Sequence, residues 1–302
     1  MTAPRTESYG SRPIKRRRTK KDVQALRDAA YRLLEDGYPM TVRQVFYQLS
    51  NRGLVAKTEG AYKATVIRLL GLMRREGQIP FGWIADSTRW MRKPRSYDSM
   101  EEALRGTVQC YRQDRWSNQD AYVEVWCEKE AMAGVLYEIT EPWDVPLMVT
   151  RGYPSLSFLY EAAQSVLAKG KPAWVYYLGD HDPTGLDITR AVEEGLREFA
   201  PGADIGFERL AVTHEQIELW DLPTRPTKVK GNAHAKYWRG GDSVELDAIP
   251  VEQLRELLTL AVERHVDRQA LAAMLAEEKE QRELGTRFAS AMARNRRKGG
   301  GK

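Results

Sequence analysis

The sequence contains no apolar run approaching the 18 residues that suggest a membrane-spanning helix, and no apolar stretch follows its Arg- and Lys-bearing N-terminus as a secretory signal would require. These absences predict a cytoplasmic, nucleoid-associated protein with no membrane partner. Cysteine is scarce. Cys110 and Cys127 are too few for a disulfide framework or a four-ligand zinc site, and the histidines, His181, His214, His234 and His265, lie scattered. A phosphate-cradling G-x-x-x-x-G-K-S/T loop is also missing, so nothing in the sequence resembles an ATP-binding fold. What remains is an ordinary globular composition, 42% apolar and 29% charged over 302 residues, which suits two domains with sizeable cores.

The formal charge of +5 is unevenly spread. Residues 1–21 carry Arg5, Arg12, Lys15, Arg16, Arg17, Arg18, Lys20 and Lys21 against Glu7 alone; residues 292–302 carry Arg294, Arg296, Arg297, Lys298 and Lys302 with no acid. The body between them is therefore acidic. Basic arms on an acidic body fit sequence-independent contacts to nucleic-acid phosphates, and equally fit two solvated tails.

Helical spacing of Val23, Leu26, Ala29, Ala30, Leu33 and Leu34 predicts an amphipathic helix over 22–36, ending at Gly37. Thr41 is the expected N-cap of a second helix, with Val42, Val45, Phe46 and Leu49 on one face as far as Gly53. A third helix is expected over 61–76, with Val66, Leu69, Leu70 and Met73 inward and Lys63, Arg68, Arg74 and Arg75 outward. A short strand over 79–84 follows. This arrangement suits a winged-helix domain over 22–90, although any small helical domain shows the same pattern. Residues 91–120 read as a linker with one helix near 100–112. Beyond it, apolar runs at 121–127, 146–150, 173–178 and 209–213 alternate with helical patterns near 129–139, 156–167 and 186–199, which predicts βαβ units and a parallel sheet in an α/β domain over 121–275. Residues 276–302 read as a charged and basic tail.

Three acids follow predicted strands. Glu128 ends the first in V-E-V-W-C-E-K-E, and Asp180 and Asp182 end the third in Y-Y-L-G-D-H-D-P-T-G. In extended chain, positions i and i+2 point the same way, so the two aspartates can aim at one point while Glu128 approaches from a neighbouring strand. Convergent hard oxygen ligands suit Mg2+, with Mn2+ as a substitute, and such an ion can polarise a phosphodiester and stabilise a leaving alkoxide. The same residues also suit an Asx turn before Pro183, with Glu128 capping the helix that follows it.

A Glu after the first strand and D-x-D after the third resembles the Toprim domain, a Rossmannoid fold of topoisomerases, primases and related nucleases. W-C-E-K-E at 126–130, R-G-Y-P-S at 151–155 and L-G-D-H-D-P-T-G at 178–185 resemble three successive blocks of the topoisomerase VI A subunit and the meiotic double-strand-break transesterase. The stretches H-E-Q-I-E-L-W-D-L-P at 214–223 and V-E-L-D-A-I-P at 244–250 are similar to that family's C-terminal region, so the resemblance covers most of 121–258. His181 departs from the small residue usual between the aspartates. The family's nucleophile lies in a preceding winged helix, in a block that T-V-R-Q-V-F-Y-Q-L matches with Arg43 and Tyr47.

On a helix, i and i+4 share a face, so Arg43 could hold a phosphate beside Tyr47 and favour its phenolate; Phe46 and Tyr47 equally suit plain core positions. What the resemblance implies is a homodimer on double-stranded DNA, with Tyr47 of one subunit forming a phosphotyrosyl link beside the metal of the other. It also implies a separate ATPase partner subunit for strand passage. Two alternatives remain open: a Toprim metal-dependent nuclease of a defence or plasmid system, in which water replaces the tyrosine, and a non-catalytic winged-helix DNA-binding protein.

Overall fold

The computed structural model describes residues 18–85, 96–227, 234, 238 and 240–299, with side chains described as far as 292. Most of the basic N-terminal arm lies outside these residues, as do the three last residues of the chain. Helix α1 (Lys20–Gly37) opens on Thr19, whose hydroxyl accepts from Asp22 N–H while the Asp22 carboxylate accepts from Thr19 N–H, satisfying two of the donors a helix start leaves open. Helix α2 (Val42–Asn51) repeats the device with Thr41 and Gln44, as the sequence predicted for Thr41. The third helix runs as a short turn (Glu59–Ala61), a π-helical stretch (Tyr62–Ile67) and then α3 (Arg68–Arg75). Val66, Leu69, Leu70 and Met73 are buried as expected, against Leu26, Leu34, Val45 and Phe46.

The expected strand over 79–84 is absent from the described residues. Pro80 and Gly82 break the extended run, Phe81–Trp83 forms a 3-10 turn, and only a single bridge joins Met40 to Ile84. The apolar signal came from Ile79 and Ile84, which are buried as core residues and not as ladder partners.

The α/β half is a four-stranded, all-parallel sheet in the order β2-β1-β3-β4, built from β1 (Tyr122–Cys127), β2 (Leu147–Val149), β3 (Ala173–Leu178) and β4 (Ile205–Ala211). Helices α5 (Ala133–Thr140), α6 (Leu156–Lys169) and α7 (Pro183–Phe199) connect the strands. β1 steps outward to β2, and the chain then returns past β1 to β3. Right-handed crossovers therefore place α5 on one face and α6 with α7 on the other, where Gly195 lets α7 pack closely on Leu159. β4 begins four residues earlier than the sequence reading, because its first half is the mixed I-G-F-E-R of a sheet edge and lacks a clean apolar run.

Helix α4 (Met100–Cys110) and the last helices complete the chain: α8 (His214–Leu219), α9 (Val251–Glu263) and α10 (Arg268–Gly299). Two expectations are corrected by these elements. In place of a tail over 276–302, α10 continues to Gly299. The helix expected near 100–112 is α4, and in place of a linker the chain before β1 is packed: Trp116 is buried in the sheet domain's core and donates to Trp143 O at 3.0 Å. α4 lies antiparallel against α10, with Val108 over Gly285 and Gln113 N–H on Glu278. Without a Cβ at Gly285 the two helices close up; a Cβ there would fall 2.7 Å from Val108. Among the described residues no helix is long and apolar enough to cross a membrane.

Candidate active site

β1 sends its neighbours in opposite directions, β2 on one side and β3 on the other, and open α/β sheets offer a crevice at such a switch point beyond the strands' carboxyl ends. Glu128 and Gly179–Asp182 lie there. Glu128 N–H still donates to Leu178 O at 3.0 Å, which fixes it beside the end of β3. Asp180 accepts from Leu246 N–H at 2.8 Å, and Asp182 is the N-cap of α7, accepting from Gly185 N–H at 2.8 Å with Pro183 in the first turn. The Asx-type cap is thus real for Asp182. It does not extend to Glu128, whose buried Oε2 has no hydrogen-bond partner. Gly185 makes the closeness possible, since a Cβ there would sit 2.2 Å from Asp180 O and 3.3 Å from Glu128 Oε2.

Burial and the neighbouring Asp180 and Asp182 push the Glu128 carboxyl up to about 7. Burial also raises Asp180, against the pull of Lys129. Lys129, which follows Glu128 in W-C-E-K-E and had no role in the sequence reading, is the hub of the site. Its ammonium contacts Asp247 at 2.6 Å, Asp180 at 3.2 Å and Glu245 at 3.4 Å. Burial works against its charge, and the three carboxylates outweigh burial, so the lysine is held cationic.

The donors suit a hard divalent cation in kind: three carboxylates gathered at one end of the sheet, one with a buried oxygen lacking any partner. They are not assembled as a coordinating set, for among the described residues no group of three His, Cys, Asp or Glu side chains has that arrangement. Asp180 receives Lys129 and the Leu246 amide on Oδ1, leaving its second oxygen outside these bonds, whereas Asp182 receives the Gly185 amide on Oδ1 and faces Arg225 with Oδ2 at 3.8 Å.

Tyr47 and Arg43 sit on α2, facing this cluster within the same chain. The Tyr47 ring is buried in the helical core, and its phenol lies beside Glu245, the carboxylate that also holds Lys129 and Arg225. Arg43 stacks on Tyr62, 4.1 Å from the ring centroid, and pairs with Glu59 at 3.2 Å. Arg43 does pull the phenol's pKa down, as expected. Burial and Glu245 outweigh it, so the phenol is raised above its ordinary value and held protonated. The chain Tyr47, Glu245, Lys129, Asp180 links the tyrosine to the acids through two side chains. Thr41, besides capping α2, donates to Asp247 at 3.1 Å.

Sequence reasoning passed over Lys129, Glu245, Asp247 and Arg209. Charged residues inside otherwise apolar blocks were the one available signal. Of the histidines, His234 meets Tyr153 at 2.8 Å and Asp187 at 2.9 Å, and His265 meets the Tyr176 hydroxyl at 2.8 Å. His181 is partly buried and lowered by that burial, with Val212 O 3.3 Å from Nδ1.

No protein-family model matches the chain, and no curated protein matches it.

Proposed function

We propose that this protein is a metal-dependent DNA-binding and DNA-cleaving enzyme resembling the topoisomerase VI A subunit, a winged-helix domain followed by a Toprim domain. The observation that carries this reading is the gathering of Glu128, Asp180 and Asp182 at the β1/β3 switch point, with Glu128 raised to about 7 and one of its oxygens buried without a partner. Glu128, Asp180 and Asp182 would hold Mg2+ or Mn2+. The ion supplies Lewis-acid polarisation of a backbone phosphate.

The chain's own part is nucleophilic. Tyr47 Oη bonds to phosphorus, the bond from phosphorus to the leaving strand oxygen breaks, and the phenolic proton passes to Glu245, which already faces it. The leaving oxygen takes a proton from solvent. Arg43 and Arg225 lower the cost of the phenolate once Glu245 is protonated. By the same resemblance the enzyme works as a homodimer on double-stranded DNA, two sites giving a double-strand break, with a separate ATPase subunit for strand passage.

A second reading has its own support. The protonated, buried state of Tyr47 favours a Toprim hydrolase in which water is the nucleophile. Labelled duplex incubated with the protein and Mg2+ or Mn2+, then run on a denaturing gel, separates the two. Protein covalently attached to DNA, abolished in Tyr47→Phe, supports the transesterase. Cleaved DNA without attachment, at an unchanged rate in Tyr47→Phe, supports the hydrolase and overturns the role of Tyr47.

A further inference from the structure

Arg209 lies near the end of β4, and its guanidinium is partly buried without a carboxylate among its hydrogen-bond partners. It donates instead to four main-chain carbonyls and one hydroxyl: Gly179 O at 2.9 Å, Asp180 O at 2.6 Å, Gly185 O at 3.3 Å, Val212 O at 3.3 Å, and Thr189 Oγ1. A buried guanidinium is costly unless its donors are satisfied, and here acceptors from three places satisfy it: the turn after β3, the first turns of α7, and the chain leaving β4. All but Val212 belong to the segment that carries Asp180 and Asp182. The same cation lies close enough to Glu128, Asp180 and Asp182 for each to act on its charge.

We propose that Arg209 is the positioning residue of the acidic site, fixing the main chain of the Asp180–Asp182 turn and the start of α7 so that its carboxylates converge on Glu128. The planar fork matters as well as the charge. An ammonium has its three donors on one atom, whereas the acceptors here are divided among the Nε and both terminal nitrogens of the fork. This assignment rests on the cation site of the proposed function only for its consequence, tighter metal binding; the positioning itself is readable without metal.

The test compares wild type, Arg209→Lys and Thr189→Val by hydrogen exchange with chelator present and by calorimetric titration with Mn2+. In Arg209→Lys, exchange over 179–189 is expected to accelerate at least tenfold while 122–127 keeps its protection, and Mn2+ affinity to fall about tenfold to a hundredfold, the usual effect of losing a residue that orients ligands. Thr189→Val, which removes one acceptor and keeps the fork, should move both readouts less and in the same direction. It carries the test if the lysine variant does not fold. Unchanged exchange over 179–189 overturns the assignment, and so does faster exchange spread evenly over the sheet, which marks a merely structural arginine. If exchange changes locally but wild type and variants alike bind no Mn2+, the positioning role stands and the cation reading fails.

Discussion

Glu128 stores a pH dependence that a chemical melt can read. Its carboxyl is pushed up to about 7 in the folded chain, against about 4.3 for an unperturbed glutamate, so the folded state binds this proton more tightly than the unfolded one. Stability from this group is therefore fully present below about pH 4.3 and is lost as pH rises through about 7. In metal-free protein, Glu128→Gln should gain on wild type by about 2 kcal/mol between pH 5 and pH 8. Urea melts at the two pH values measure the gap, and a constant gap contradicts the burial account. The aspartates and Glu128 were readable in the sequence because a period of two and a strand end fix where such side chains can point. Lys129 was not readable, because its partners Glu245 and Asp247 stand 116 and 118 residues away and only the folded chain unites them. Arg209 was hidden for a different reason: it binds main-chain carbonyls, which have no signature in residue types.

Helix α7 shows how an element bends the ordinary rules to serve the turn before it. Replacing a helical glycine by alanine usually stabilises by up to about 1 kcal/mol. Gly71 in α3 has open space around its missing Cβ, and Gly71→Ala should follow that rule. At Gly185 the new methyl would meet Asp180 O at 2.2 Å, so Gly185→Ala should reverse the sign and destabilise by about 1 to 3 kcal/mol. Thermal melts of the two variants, run together, check the contrast; equal gains in both would mean that the turn yields freely. Element types were legible wherever an apolar period ran unbroken, as in α1, α2 and β3. They were missed where composition and structure disagree. The last helix is rich in Glu, Arg and Lys and resembles a solvated tail, yet it is held by Gly285, Glu278 and Gln281 against a helix far back in the sequence.

Across the whole molecule, the helical and sheet portions share more than a boundary. Val135 of α5 and Val251 of α9 belong to the apolar core of the N-terminal helices, while Arg255 donates to Tyr38 O at 2.9 Å and Lys57 to Thr224 O at 2.6 Å. Tyr47 thus faces the acids because the two cores interlock. Residues 1–17 of the basic N-terminal arm lie outside the described residues, and Arg18 at its described end donates to Thr65 Oγ1 at 2.7 Å. Deleting residues 1–17 spares the Thr19 cap of α1 and the Arg18 bond to Thr65. The deletion should flatten the slope of log DNA affinity against log salt by about 0.9 for each phosphate that the arm neutralises in the full chain. Titrations at several salt concentrations measure that slope, and an unchanged value would leave the arm without a DNA role.

The pairing of α4 with α10 also sets a schedule for synthesis. Tyr111, just past α4, bonds Gln281, 170 residues later, and Arg282 bonds the Tyr111 carbonyl. At about 5 to 20 residues per second, a ribosome takes roughly 10 to 30 seconds to make that interval. Throughout it the nascent chain holds α4 without its partner, although every strand of the sheet has already been made by residue 211. Closure of this helical pair is consequently a late, post-sheet event, and a message truncated before α10 would yield a chain with a finished sheet and an orphaned α4.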